Sequence, residues 1–206
     1  MEISKTKRVA FACGGTGDDF RRLCAALGKN GFDVSFTYDD EGDAQVLSAE
    51  IEASGVRSMR SRLAAYSAEE LSTAIVETAE QMGGIDLLVY MGELPEGYET
   101  DGKLLLDLDE NDWDIAMNRT ARGFFLACKY ALPYLIGRQG ARIVAVDANP
   151  EGCEGGPERS LTAFAASRTL KAACEHLETE LSHYGIAAAY LPACNNPAIF
   201  IENPGT

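Results

Sequence analysis

The sequence predicts a single α/β domain built on a doubly wound parallel sheet. Apolar runs of strand length alternate with stretches of helical periodicity along the whole chain. The first apolar run also leads through a glycine-rich turn directly into a helix. A chain of 206 residues is long enough for one domain with a substantial core and short for two. We therefore expect one domain over residues 1–206.

Six strands are expected, with helices in between. The apolar runs lie at 8–12, 32–38, 56–62, 85–91, 141–148 and 185–191, and "AIFI" near the end is a candidate seventh strand. A first helix ends at Asn30 and Gly31, and a second ends at Gly55. Ser67 and Glu70 have capping-box spacing at the start of a third helix. Two long helices follow, over about 110–136 and 161–184.

Composition restricts the partners and the location. The net charge of −14 makes the phosphate backbone of a nucleic acid an improbable partner. No apolar run reaches the roughly 18 residues of a membrane span, and "MEISKTKRVAF" lacks the apolar core of a signal peptide. We therefore expect a cytoplasmic protein. The cysteines have no metal-binding spacing and are expected to be reduced, mostly buried thiols: Cys13, Cys24, Cys128, Cys153, Cys174 and Cys194.

The two long helices carry apolar residues on more than one side. On the first, Trp113, Phe124 and Phe125 extend the apolar surface beyond a single stripe. A helix that is apolar on two sides usually packs on two sides, so we expect a subunit interface through residues 110–136 and 161–184. A thick core is the alternative.

Four further stretches occur in an order and spacing that resemble a known family. They are "GGIDLLVYMG", "DENDWDIAMNRTARGFFLACKYALPYL", "GARIVAV" and "AFAASRTLKAACEHLETELSHYGI". With the glycine turn, they resemble the short-chain dehydrogenase/reductase family over nearly the whole chain. The resemblance implies a Rossmann-like fold. Family members usually continue with a substrate-covering segment and a seventh strand, so "LPACNNPAIFIENPGT" implies a truncated substrate region.

The cofactor turn departs from the family pattern Thr-Gly-x-x-x-Gly-x-Gly. The chain reads "CGGTGDDF" there, with Gly14 at the first glycine, Asp18 at the second and Phe20 at the third. Gly15 and Gly17 lie between these positions. Asp18 or Asp19 can satisfy the first amides of the helix as an internal cap and repel a pyrophosphate. This predicts a turn that binds no cofactor.

Three other cofactor positions also differ. Tyr38 stands where an NAD enzyme of the family has its ribose-binding Asp, and Asp39 stands where an NADP enzyme has an Arg. Ala64 replaces the Asp that contacts adenine. The family's Asn-Asn-Ala-Gly turn is here "YMGE", which ends in Glu93 and adds negative charge. NADP is therefore especially disfavoured.

The family's catalytic positions lack their usual groups. They hold, in chain order, Thr120 for Asn, Ala148 for Ser, Phe164 for Tyr and Arg168 for Lys, with Asp147 at the Ser position if the alignment shifts by one. Phenylalanine has no proton to transfer, and general acid–base catalysis contributes about 10²–10⁴-fold to a rate. Arginine stays protonated and cannot act as a base. No catalytic residue and no metal ligand is therefore expected.

These departures favour a non-catalytic subunit that pairs with an active family member and stabilises it. Mixed pairs of this kind occur in the family, as in a two-subunit alcohol dehydrogenase that acts on a CoA thioester. The alternative is a divergent NAD-dependent oxidoreductase with a rebuilt site. There Lys171 replaces the family lysine, and the acid is Asp147, Glu93 or Tyr190.

A third interpretation is a sensor of another ligand in the remodelled crevice. Acidic residues near the crevice favour a neutral or cationic molecule there: Asp18, Asp39, Asp40 and Glu93.

Overall fold

Six parallel strands form one sheet. They are β1 (Val9–Cys13), β2 (Asp33–Tyr38), β3 (Ser58–Arg62), β4 (Leu87–Gly92), β5 (Arg142–Asp147) and β6 (Ala187–Pro192). The strand order is β3-β2-β1-β4-β5-β6. From β1 the strands are added on one side of the sheet as far as β3, and from β4 onward they are added on the other side. The switch point therefore lies between β1 and β4, and doubly wound folds bind their ligands at such a point. The computed structural model describes residues 7–63, 67–94, 98, 103–148 and 160–193.

In the described part of the chain, six α-helices connect and cover the strands: α1 (Asp18–Lys29), α2 (Glu41–Glu52), α3 (Ala68–Met82), α4 (Glu110–Met117), α5 (Gly123–Leu135) and α6 (Leu161–Leu181). The predicted capping box is confirmed. Ser67 Oγ accepts a hydrogen bond from the Glu70 amide, and the Ser67 amide donates to the Glu70 carboxylate. Gly83 ends α3 in the left-handed conformation, with φ of +91°.

The helix expected over 110–136 is interrupted. A π-helical turn, Asn118–Arg122, separates α4 from α5. The Tyr90 hydroxyl donates a 2.7 Å hydrogen bond to the Arg119 carbonyl within this turn. Gly123 allows that approach, since a Cβ there would lie 1.9 Å from the Tyr90 hydroxyl oxygen. Apolar periodicity alone does not show the extra residue of a π turn, because the side chains on both sides of it still face the core.

Apolar side chains fill both faces of the sheet. One buried cluster packs α1 and α2 against the sheet, and the other packs α3, α5 and α6 against the opposite face. Covering both faces with helices leaves the carboxyl-terminal ends of the strands as the edge open to ligands. The expected Rossmann-like doubly wound fold is confirmed. Across the described ranges, no helix combines the length and apolarity that a bilayer crossing requires.

Some predicted boundaries shift and others lie beyond the described residues. The third strand is shorter than expected, beginning at Ser58, and the last helix ends at Leu181 before a single 3₁₀ turn. Ala64, Cys153, Cys194 and the "AIFI" segment lie outside the described residues. The seventh strand and the single domain over 1–206 stay predictions.

Candidate functional site

The glycine turn packs tightly against β4. Gly14 has φ of +95°, and a Cβ there would lie 2.3 Å from the Met91 carbonyl oxygen, so only glycine fits. A Cβ on Gly15 would lie 2.8 Å from both Met91 Sδ and the Phe20 side chain. The backbone at 14–15 therefore runs directly over the end of the neighbouring strand, as it must where a turn presents its amides to a ligand.

A carboxylate of the chain itself accepts hydrogen bonds from amides of this turn. The N–H groups of Thr16 and Gly17 donate to Glu93 Oε2 over 2.7 Å and 3.2 Å. Gly17 leaves room for this contact, since a Cβ there would lie 2.5 Å from Glu93 Oε1. Glu93 follows directly after β4. The turn therefore binds an anion, and the anion belongs to the protein.

The predicted internal cap by Asp18 or Asp19 is wrong. Gly17 is the N-cap of α1 and makes no side-chain cap, while the Asp18 and Asp19 side chains are 79% and 58% exposed. They face Arg21 and Arg22 along the helix surface at 3.8 Å and 3.2 Å. Both aspartates belong to the first turn of the helix and not to the capping position before it, so they project outward.

A small, partly open crevice adjoins the turn, between α1 and the end of β2, with a cavity volume of about 20 Å³. Thr16, Thr37 and Asp39 line it. Thr37 is 1% exposed, and its Oγ1 has no hydrogen-bond partner within the described part of the chain. Phe20, which stands at the family's third glycine, lies buried in the core and lines the crevice. Backbone amides that hold an anion and a buried hydroxyl without a partner in the described residues are the kinds of group that dinucleotide sites use.

Tyr38 lies at the same edge of the sheet and turns toward α2. Its hydroxyl interacts with the Glu41 carboxylate, and this hydrogen bond, together with partial burial, raises the pKa of Tyr38. The same hydrogen bond lowers the pKa of Glu41. Tyr38 therefore stays a neutral hydroxyl beside the crevice. Its neighbours Asp39 and Asp40 line the crevice together with Arg21.

The four positions aligned with the family's catalytic groups make local contacts. Thr120 Oγ1 donates to the Ala116 carbonyl of its own helix at 2.6 Å. The Arg168 guanidinium lies 5.3 Å from the ring centroid of Phe164, which is 39% exposed. The Ala148 amide donates to the Gly92 carbonyl at 3.3 Å. The absence of catalysis at these positions stays a prediction.

A second set of polar groups meets at the ends of β5 and β6. The buried Asp147 carboxylate accepts hydrogen bonds from the Tyr190 hydroxyl, at 2.6 Å, and from the Ser167 hydroxyl. Lys171 Nζ lies 5.8 Å from the centroid of the Tyr190 ring. Asp147 pairs with Gly92 in the ladder, so this set lies beside the glycine turn and Glu93.

Three of the four residues named for a rebuilt site are thus brought together. Asp147, Tyr190 and Lys171 are neighbours, whereas Glu93 belongs to the turn. Sequence reasoning missed Ser167. The signal for it was its position four residues before Lys171, which places both on one face of α6 and toward β5.

The cysteines that the structure describes are buried thiols, as expected: Cys13, Cys24, Cys128 and Cys174. Burial raises the pKa of each of them, and that of Cys174 to about 11. A protonated buried thiol is a poor nucleophile and a poor metal ligand. Among the described residues, no three His, Cys, Asp or Glu side chains form a metal-binding group. That the chain binds no metal stays a prediction.

The two long helices also leave large apolar side chains exposed. Those on α4, α5 and α6 are Trp113, Phe125, Leu161 and Phe164. The expected subunit interface through these helices stays a prediction.

Parallel strands, a switch point and an anion-binding turn at the start of α1 define the class of dinucleotide-binding α/β proteins. Residues 9–192 match the family described as short chain dehydrogenase. The chain therefore belongs to the short-chain dehydrogenase/reductase family.

Relatives with curated names agree with this assignment. The chain is 26% identical over 145 residues to the 3-oxoacyl-[acyl-carrier-protein] reductase FabG of Staphylococcus aureus, covering 70% of this chain and 56% of the relative. It is 29% identical over 208 residues to the short-chain dehydrogenase/reductase eriH of Hericium erinaceus, covering 97% of this chain and 79% of the relative. The chain thus spans little more than half the length of the staphylococcal reductases.

Solved structures show the same fold. A dehydrogenase/reductase from Sinorhizobium meliloti superposes with a TM-score of 0.77 at 28% identity, over 89% of this chain and 70% of that one. A short chain dehydrogenase from Burkholderia cenocepacia in complex with NADP gives 0.76 at 27% identity, over 89% and 72% of the two chains.

The interpretation of the chain as a non-catalytic, stabilising subunit is wrong in light of these comparisons. The family is one of oxidoreductases, its curated relatives here are named as reductases, and a structural neighbour holds NADP. The expectation that no cofactor binds loses its support for the same reason. The interpretation erred because it rested on the loss of consensus side chains alone. A hydroxyl and a carboxylate from other strands lie at the same sheet edge.

Proposed function

We propose that the chain is an NAD-dependent oxidoreductase of its family with a rebuilt proton-transfer site. The observation that carries the proposal is the hydrogen bond from the Tyr190 hydroxyl to the Asp147 carboxylate, at 2.6 Å, with the Lys171 ammonium beside the same ring. A tyrosine hydroxyl next to a lysine is the pair of groups that Phe164 and Arg168 no longer supply. Here the tyrosine comes from β6 in place of α6.

Tyr190 and Asp147 can move one proton in either direction. In alcohol oxidation, the Tyr190 oxygen takes the proton of the substrate hydroxyl while its own proton passes along the hydrogen bond to Asp147. In carbonyl reduction, the same two transfers run in reverse. The Lys171 ammonium lies over the Tyr190 ring, where its positive charge favours the tyrosinate, and the Glu175 carboxylate, 3.8 Å from the same nitrogen, offsets part of that effect. Ser167 holds the Asp147 carboxylate in place.

The cofactor would lie along the edge from the glycine turn to the crevice. The amides of Thr16 and Gly17 would hold its pyrophosphate, and Thr37 and Tyr38 would face its adenosine ribose. Asp39 opposes the additional phosphate of NADP, which favours NAD. When bound, NAD accepts the hydride in the oxidation, and its reduced form donates the hydride in the reduction.

The substrate class proposed is a 3-oxoacyl thioester or the corresponding secondary alcohol. The staphylococcal relatives are named as 3-oxoacyl reductases, and this is the reason for choosing it. Acetoacetyl-CoA is therefore the first probe for reduction, with 3-hydroxybutyryl-CoA for oxidation.

The test combines binding with turnover. Calorimetry with NAD⁺, NADH, NADP⁺ and NADPH measures affinity, and absorbance of the reduced cofactor follows turnover of the two thioesters. We expect Tyr190→Phe to lower kcat about 10²–10⁴-fold with an unchanged Kd for NADH. Tyr184→Phe is the matched control, because Tyr184 is exposed after α6 and makes no contact with the site. Full turnover by Tyr190→Phe would overturn the assignment of the proton donor. No dinucleotide binding up to millimolar concentration would overturn the proposed function.

A further inference from the structure

The Glu93 carboxylate lies at the amides that a bound dinucleotide would use for its pyrophosphate. We propose that Glu93 is an internal competitor, which closes the dinucleotide site in the free chain and leaves the turn when the cofactor binds. The inference rests on the proposed function, since it concerns the regulation of that same site.

Competition follows from the number of donors. Each backbone amide has one proton, and those of Thr16 and Gly17 both converge on Glu93 Oε2. A phosphate oxygen cannot accept from the same two N–H groups while the carboxylate does. Two anions at this distance would also repel each other strongly in a partly buried site. The two states of the turn are therefore mutually exclusive.

Glu93 contacts only some of the polar groups that this edge of the sheet presents to a ligand. The crevice that Thr16 lines continues to Thr37, whose buried Oγ1 has no partner within the described ranges. The Glu93 carboxylate accepts hydrogen bonds from the amides of the turn, and among the described residues it makes none with that hydroxyl. The site is thus larger than the internal carboxylate, and a ligand with both an anion and sugar hydroxyls fits it better than Glu93 does.

The contact is also built so that it can open. In the described part of the chain, no lysine or arginine forms an ion pair with Glu93, so the two amides are what hold its carboxylate. The Glu93 amide donates to the Met91 carbonyl at 3.0 Å, which fixes the backbone independently of the side chain. Rotation of the side chain therefore frees the turn without moving β4.

The experiment compares Glu93→Gln and Glu93→Ala with the wild type. Glutamine keeps the shape and removes the charge, and alanine removes the contact. Asp18→Asn is the matched control: it removes one negative charge from the same helix start, at an exposed side chain that does not touch the turn amides. Calorimetry measures Kd for NADH, for inorganic pyrophosphate and for adenosine, which has no phosphate. Hydrogen exchange measures protection of the Thr16 and Gly17 amides in the free chain.

We expect Glu93→Gln to tighten NADH and pyrophosphate binding about tenfold to a hundredfold, because a hydrogen bond to a charged group no longer has to be released. Adenosine affinity should stay unchanged, and Asp18→Asn should change none of the three. In the free chain, Glu93→Ala should speed exchange of the Thr16 and Gly17 amides. Circular dichroism confirms that each variant is folded.

Two results would overturn the inference and are distinguishable. If the wild type and both Glu93 variants bind NADH with equal affinity, Glu93 is no competitor, and the proposed function stands. If no variant binds any dinucleotide, the proposed function fails and the inference fails with it.

Discussion

The Tyr190 hydroxyl on β6 donates a 2.6 Å hydrogen bond to Oδ2 of Asp147 at the end of the neighbouring strand β5. The same carboxylate oxygen accepts the Ser167 hydroxyl from α6. A buried carboxylate is costly unless donors satisfy it, so these contacts determine both the local stability and the direction in which the tyrosine hydroxyl points.

Removing the Ser167 hydroxyl should weaken this arrangement. We expect Ser167→Ala to lower the free energy of unfolding by about 1.5–3 kcal/mol, because a buried charge loses a hydrogen-bond donor. Urea unfolding measures the change. Thr169→Ala on the same helix is the control, since its hydroxyl donates only to the Ala165 carbonyl at an exposed position and should change stability little. Equal losses in the two variants would contradict a special role for Ser167.

Adding a methyl group at Gly123 should disturb the π turn. Its Cβ would lie 1.9 Å from the Tyr90 hydroxyl oxygen and 2.8 Å from Cζ of the same ring. We expect Gly123→Ala to lower the free energy of unfolding by about 1–3 kcal/mol. Because Tyr90→Phe removes the nearest atom, the double variant should lose less than the sum of the two single losses. Strict additivity in this cycle would show that the two side chains do not meet.

The buried thiols should make stability fall at high pH. Burial raises the pKa of Cys174 from 9.0 to about 11, so the unfolded chain releases this proton at a lower pH than the folded one. The stabilisation from this thiol is fully present below pH 9.0 and is lost as the pH rises toward about 11. Each such thiol contributes a slope of up to about 1.4 kcal/mol per pH unit.

Cys174→Ala tests that dependence. The free energy of unfolding is measured across this alkaline range for the variant and the wild type, and the variant should show the smaller slope whatever its absolute stability. A slope identical to that of the wild type would contradict the prediction. Alkylation followed by peptide mapping is an independent check, because the four buried thiols should react only in denaturant.

The exposed apolar side chains of the long helices should mediate self-association. Phe125 on α5 is 58% exposed, and Leu161 and Phe164 on α6 are 49% and 39% exposed. We expect a dimer by light scattering, and we expect Phe125→Glu to dissociate it. Val46→Glu is the control, because Val46 is equally exposed, at 56%, on the distant helix α2. A wild-type chain that is monomeric at high concentration would refute the interface.

Local patterns were sufficient to predict most of the fold. Apolar runs located all six strands, and Ser67 and Glu70 located the start of α3, because those signals are contained in a few consecutive residues. The candidate site was harder to predict from the sequence. Glu93 reaches Thr16 across 77 positions, and Tyr190 reaches Asp147 across 43. No periodicity encodes such pairs, since they exist only once the strands are side by side.

The error over the anion at α1 has the same origin. Asp18 and Asp19 are the acidic residues nearest to the turn in the sequence, whereas Glu93 is the one that the sheet brings there. The expectation of an internal anion was correct in kind, and the residue was wrong.

The carboxylate at the glycine turn also affects how a ligand would reveal itself in a screen. A ligand that binds only the folded chain stabilises it by RT ln(1 + L/Kd), where L is the free ligand concentration, so the shift in melting temperature follows the apparent affinity. Here it would exchange with Glu93, so that hydrogen bonds at the turn are replaced and not added. At the same ligand concentration the wild type should therefore give a smaller thermal shift than a chain carrying Glu93→Ala, which would be the more sensitive reagent in a search for ligands.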